Sequence, residues 1–304
     1  MAGIAFVFSG QGAQYTGMGK ELAECSKGAA EVFRSIDAIR PGTSGLCFEG
    51  SKEELQQTEN TQPCIFAVGS AAAAALEEKG IKADSIAGFS AGEVAALAFG
   101  GYLNREDAFR YMIKRALYMK ESGEKNPGTM FAVIGLSIDK INEICSKIEG
   151  RYPVNFNTEN QVSVACTFEA AQGFGEAVTD AGGKAVKLAV SGGFHSPMMN
   201  SAREKLQAEF ENMVFTKGSI PVYANVSAKP FEAREQMFAQ INTPVLWYQT
   251  ILNMAEDGID TFVELGPGKT LCNMISKILP EATVLNVEDE KSLINTVEVL
   301  KNAQ

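Results

Sequence analysis

An α/β fold, in which one parallel-sheet domain is interrupted by a smaller domain, is what this sequence predicts, and three observations predict it. Short apolar runs of strand length alternate with helical patterns through the first part of the chain. From about residue 126 to 192 the order becomes β-α-β-β-α-β, the pattern of a ferredoxin-like unit. Beyond 192 the first alternation resumes. Residues 1–125 and 193–304 are therefore expected to form one large domain, with 126–192 as its insert.

The chain has 304 residues, 45% of them hydrophobic, enough for a sizeable core. Its net charge of −10 argues against nucleic acid or an anionic membrane as main partner, because neutralising phosphates takes clustered Lys and Arg. The N-terminal run is too short and lacks the basic flank of a signal peptide, and nothing later is long enough to span a bilayer. A cytoplasmic protein is expected. The six cysteines, Cys25, Cys47, Cys64, Cys145, Cys166 and Cys272, form no C-x-x-C pair, so neither a metal site nor a disulfide framework is expected.

Taken in order, the apolar run 4–8 reads as a strand buried on both faces and leads straight into Ser9-Gly10-Gln11-Gly12-Ala13-Gln14. A Gly-rich loop at the carboxyl end of such a strand is either a ligand-facing donor loop or a plain solvated turn. Helical patterns follow at 20–33 and 64–78, the second closed by Gly80. Residues 105–120 repeat apolar side chains at helical spacing, with Arg115 off that stripe, where a solvated arginine would be ordinary. Asn126-Pro127-Gly128 marks the start of the insert. Inside it, strands are expected at 130–134, 154–156, 162–164 and 185–190, and helices at 137–148 and 168–181. After it come helices at 198–213, 233–240, 245–256, 270–278 and 291–301, and strands at 222–224, 261–265 and 283–286.

Gly88-Phe89-Ser90-Ala91-Gly92 fits Gly-x-Ser-x-Gly, between the apolar run 85–87 and a helical pattern beginning at Glu93. That is the strand, sharp turn and helix of a nucleophile elbow, as in an α/β-hydrolase-like sheet. Ser90 Oγ would stand at a helix N-terminus, where N–H groups and the helix dipole favour developing negative charge. A Gly-rich turn without chemistry has the same pattern. His195 is the one histidine, in a Gly-rich loop 105 positions after Ser90, and no other side chain titrates near neutrality to serve that serine as base. A capping or surface histidine is the alternative. No acidic residue stands out as the third member of a triad.

With Ser90, His195, Gln11 and Arg115 in view, the chain resembles the malonyl-CoA:acyl carrier protein transacylases, the family shared with the acyltransferase domains of fatty acid and polyketide synthases. The shared stretches run the length of the chain: Gly10 to Gln14, Thr61-Gln62-Pro63, the Ser90 elbow with Glu93, Arg115, Pro127-Gly128, Phe194-His195-Ser196-Pro197, Gln240 ahead of Pro244-Val245-x-Trp247, and Glu264-x-Gly266-Pro267-Gly268.

The resemblance implies that Ser90 attacks a thioester while His195 takes its proton. It also implies that backbone N–H groups of Gln11 and Ala91 form an oxyanion hole and that Arg115 pairs with the free malonyl carboxylate. A main-chain carbonyl near Gln240 would orient the histidine, and Phe194 would leave no room for an α-methyl group. Malonyl-CoA and acyl carrier protein are the implied partners, with no metal or resident cofactor and a monomer expected. A local basic rim for the acidic carrier is expected at Lys184, Lys187 and Arg203. The transfer would supply extender units for fatty acid synthesis. A discrete acyltransferase serving a polyketide synthase, or a serine thioesterase or hydrolase, is the alternative. The sequence departs from the family at Phe89, where histidine is usual, and at Leu246, where many relatives are polar; changed packing is expected at the first and altered surface contacts at the second.

Overall fold

The computed structural model describes residues 3–190 and 192–302. Met1 and Ala2 of the N-terminal reading, and Ser191 of the loop before His195, lie outside them. Among the described residues nine strands run in chain order: β1 (Gly3–Phe8), β2 (Ser85–Gly88), β3 (Gly128–Ile134), β4 (Arg151–Thr158), β5 (Gln161–Thr167), β6 (Lys184–Lys187), β7 (Val222–Tyr223), β8 (Ile259–Leu265) and β9 (Thr283–Val287).

Because Ala5 to Phe8 are apolar on both faces, β1 takes the middle of a five-stranded sheet ordered β7-β2-β1-β8-β9, and every pairing in it is parallel. Phe8 sits level with Gly88 on one side and Leu265 on the other, so the loops that follow β1, β2 and β8 leave the sheet together at its carboxyl edge. The remaining strands form a separate antiparallel sheet, β4-β5-β3-β6, with the expected helices on one face. This is the ferredoxin-like order. Outside both sheets, Val245 pairs with β4, donating to Val154 O at 2.8 Å and accepting from Phe156 N at 3.0 Å.

That pairing corrects one expected helix boundary. The helix read at 245–256 starts at Trp247, since β4 has already taken both backbone groups of Val245. Several other expectations also change. The helix at 20–33 is two, Lys20–Cys25 and Lys27–Ile39, because Ser26 turns extended and its Oγ caps Ala29 N. The helix at 64–78 begins earlier, at Thr58, with Pro63 inside it. At the sixth residue of the helix, Pro63 leaves out the one i→i−4 bond that an N–H there would make to the Glu59 carbonyl. The helix at 168–181 breaks into Phe168–Ala171 and Phe174–Asp180, where Gly173 has φ 65° and the Arg151 guanidinium takes the carbonyls of Ala170 and Gln172. The strand at 185–190 ends at Lys187, and Leu188 and Val190 turn into a cavity instead. The helix at 198–213 is a single 3-10 turn, Pro197–Met199, followed by Asn200–Glu209. The one at 233–240 keeps only Glu235–Ala239. Two short helices, Thr43–Glu49 and Lys52–Gln56, were not expected. No helix among the described residues is long and apolar enough to cross a membrane.

Candidate active site

β2 ends at Gly88, and the chain reverses through Ser90 into helix Ala91–Phe99. The turn is tight enough that a Cβ on Gly92 would lie 2.2 Å from Phe8 O, and one on Gly88 2.2 Å from Gly92 C. Only glycine fits at either place. Ser90 itself takes φ 53° and ψ −107°, a backbone conformation that costs an L-residue about 1–3 kcal/mol.

The strained turn aims Ser90 Oγ at His195 Nε2, 2.7 Å away. His195 Nδ1 lies 2.7 Å from Gln240 O. A carbonyl can only accept, so Nδ1 carries the proton and Nε2 is left free to accept from the serine hydroxyl. Where a triad would place a carboxylate, this histidine has a backbone oxygen. Burial, and after it the nearby Arg115 charge, push the imidazole pKa down to about 3, so the ring is neutral over the physiological range.

Arg115 is not the ordinary solvated side chain that its place off the apolar stripe allowed. Its helix, Arg105–Lys125, packs against the long helix Thr58–Glu78 as well as the core, and Arg115 is 0% exposed. One guanidinium nitrogen donates to Gln62 Oε1 at 2.6 Å; the other donates to Gln240 Oε1 at 2.9 Å and to Ser90 Oγ at 3.2 Å. Burial lowers its pKa to about 10, which leaves it charged at neutral pH. No carboxylate pairs with it among the described residues, and its Nε is buried without a partner. A desolvated cation with a spare donor beside the Ser90 hydroxyl is suited to an incoming anion.

Gln11 lies beside this group, its side chain meeting Gln62 Nε2 at 3.3 Å and Thr58 Oγ1 at 3.4 Å. The backbone N–H groups of Gln11 and Ala91 have no partner among the described residues, and Ala91 opens a helix, where free donors are usual. Phe194, Ser90 and His195 line one small cavity of about 80 Å³ with Gln11, Gln62, Met119 and Met130. It adjoins a cleft of about 200 Å³ between the two sheets, and Gln11, Phe89, Asn155 and Leu188 border both. Asn157 and Ser163 of the antiparallel sheet face the cleft, and Asn155 Oδ1 and Asn157 Oδ1 are buried without partners.

The Phe89 ring is set edge-on to Trp247 at 5.5 Å. Leu246 donates its N–H to Asn225 O at 2.9 Å. The expected basic rim does not gather: Lys184 and Lys187 point to opposite faces of β6, and Arg203 is half-buried and bonded to Asn242. No group of three metal-ligating side chains occurs among the described residues.

Three residues of the site had no role in the sequence reading. Gln62 holds the guanidinium. Asn225 holds the Ser90 peptide, accepting from Ser90 N at 2.9 Å. Glu93 is fully buried and accepts from Asn225 N at 2.5 Å, and burial pushes its carboxyl pKa up to about 8. Gln62 and Glu93 stood in stretches shared with the resembled family, without a role, and polarity inside apolar runs marked Glu93 after the elbow and Asn225 after Val222 to Ala224.

Residues 5–296 match the acyl transferase domain family. The chain is 33% identical to the malonyl CoA-acyl carrier protein transacylase of Bacillus subtilis (strain 168), across 99% of this chain and 98% of that one. The crystal structure of malonyl CoA-acyl carrier protein transacylase from Clostridium perfringens superposes with a TM-score of 0.96 at 35% identity, covering 99% of this chain and 98% of that one. A type II PKS acyl-carrier protein in complex with its malonyl-transacylase contains a chain that superposes at 0.93, with 32% identity over 98% of this chain and 100% of that one. The chain thus belongs to the acyl transferase domain family, and malonyl CoA-acyl carrier protein transacylases are its relatives over essentially its whole length.

Proposed function

We propose that this protein transfers the malonyl group of malonyl-CoA to the phosphopantetheine thiol of an acyl carrier protein, through an ester on Ser90. The observation that carries the reading is Arg115: a buried guanidinium without a carboxylate partner, 3.2 Å from Ser90 Oγ, with Nε unsatisfied. A malonyl thioester presents a free carboxylate beyond its carbonyl, so it can be held there while Ser90 reacts. An acetyl group leaves the cation unpaired.

In the first half-reaction Ser90 Oγ attacks the thioester carbonyl as its proton passes to His195 Nε2. The oxyanion is held by the N–H groups of Gln11 and Ala91. Collapse breaks the C–S bond, and the leaving CoA sulfur takes the proton back from His195. In the second half-reaction the carrier's thiol gives its proton to His195 and attacks the Ser90 ester, which returns the serine hydroxyl and forms malonyl-carrier protein. Both thiols arrive on a pantetheine arm, and the unpaired amide oxygens of Asn155 and Asn157 in the adjoining cleft suit its amide N–H groups. The Gln240 carbonyl orients His195, the Phe194 ring limits the acyl α-carbon, and no metal is needed. The product would feed chain extension in fatty acid synthesis in the cytoplasm.

Intact-mass measurement after incubation with malonyl-CoA tests the reading. One malonyl adduct is expected, mapped to Ser90 and discharged when a carrier protein bearing the pantetheine thiol is added. Release of the adduct to water faster than to the carrier would make the protein a hydrolase, and no adduct at all would end the proposal.

A further inference from the structure

We infer that Asn225 is the positioning residue of the nucleophile, its side-chain amide clamping the strained Ser90 turn in the geometry that presents Oγ to His195. The inference rests on the proposed role of Ser90. Asn225 lies in the connection after β7, 135 positions from the serine, is fully exposed to no solvent, and does not line the cavity at Ser90.

The clamp has two arms in one plane. Asn225 Oδ1 accepts from Ser90 N at 2.9 Å, and Nδ2 donates to Gly88 O at 2.7 Å, so a single amide spans the turn from the end of β2 to the nucleophile. Gln240 Nε2 closes the other side, donating to Ser90 O at 2.7 Å and to Asn225 Oδ1 at 3.2 Å. The backbone of Asn225 is fixed in turn: its N–H goes to Glu93 Oε2, one turn into the helix that Ser90 starts, and its carbonyl receives Leu246 N. Both peptides flanking Ser90 are thus held by side chains from the far end of the chain. A backbone held at φ 53° relaxes unless its surroundings over-determine it, and relaxation swings Oγ away from the imidazole. The clamp needs an acceptor and a donor on two separate atoms of one short side chain; ionised Asp lacks the donor, Ser has a single oxygen for both, and Ala lacks both.

The test compares full-length wild type with Asn225→Asp, Asn225→Ser and Asn225→Ala. Two rates are read on folded protein: single-turnover acylation of Ser90 by malonyl-CoA, and modification of Ser90 by phenylmethylsulfonyl fluoride, which carries neither carboxylate nor pantetheine. Both rates are expected to fall about 10- to 100-fold in the variants, with KM for malonyl-CoA changed less than about 3-fold. A purely structural asparagine would lower the folded fraction and leave the rate per folded molecule unchanged, and that result, in the near-isosteric Asp variant or in whichever variant folds, overturns the inference. If wild type takes up no malonyl group but its reaction with the sulfonyl fluoride still depends on Asn225, the substrate assignment fails and the positioning role stands.

Discussion

The Nδ1–H of His195 is donated to the backbone carbonyl of Gln240 at 2.7 Å, and the side chain of the same glutamine accepts from Arg115 at 2.9 Å. One residue therefore sets both the tautomer of the imidazole and the position of the cation. The neutral carbonyl fixes the proton on Nδ1; burial first and the neighbouring guanidinium second push the imidazole pKa down, against the smaller upward pull of that hydrogen bond.

This has a direct consequence for the pH profile of acylation. With the imidazole pKa near 3, His195 stays neutral and able to accept a proton throughout the weakly acidic range. The expected rate of Ser90 acylation by malonyl-CoA, followed by rapid quench and mass, is flat from about pH 8 down to about pH 5. A loss of rate centred near the ordinary histidine value of 6.5 would show that the ring titrates normally.

Glu93 gives the stability an opposite and separable pH dependence. Its carboxyl ordinarily titrates at 4.5, and burial raises it to about 8 in the folded chain. Below 4.5 the group is protonated in both states; as pH rises toward 8 only the unfolded chain ionises, so this contribution to stability is progressively lost. Glu93→Gln keeps an acceptor for Asn225 N and cannot ionise. The variant's Tm should therefore fall less than that of wild type between about pH 5 and 8, with the gap growing by roughly 5 °C or more. Parallel melting curves across that range would contradict the assignment.

Arg115→Ala should remove the preference for a dicarboxylic acyl group. Truncating one partner of a buried charge pair costs about 2–5 kcal/mol, so kcat/KM for malonyl-CoA relative to acetyl-CoA is expected to drop roughly 30- to 5,000-fold. Competition between the two thioesters, read as the ratio of adducts on Ser90, measures it. An unchanged ratio would place the carboxylate elsewhere.

Phe194 is 6% exposed and lines the small cavity with Ser90. Phe194→Ser opens room for a methyl group, and because one methyl discriminates by about 1–3 kcal/mol, methylmalonyl loading relative to malonyl should rise roughly 10- to 200-fold. Adduct masses from mixed thioesters decide the matter.

The parts of the site legible in the sequence are those written in adjacent residues. The elbow at Gly88 to Gly92 is a local code, since glycine is required where backbones pass within contact and a serine between strand and helix must point outward. The single histidine was legible by elimination, and the β-α-β-β-α-β insert by a change of period. Arg115 was legible only through the family resemblance, because hydrophobic periodicity describes only the face turned toward the local core, and this helix is covered on a second side by Thr58–Glu78.

Local pattern determined the strands, most of the helices and which serine stands at a helix start, because φ/ψ preference and apolar spacing act over a few residues. Only the folded chain decided what surrounds that serine. His195, Asn225 and Gln240 reach it from 105, 135 and 150 positions away, and pairings at that separation are fixed by how the two sheets and their helices pack, which no short stretch encodes.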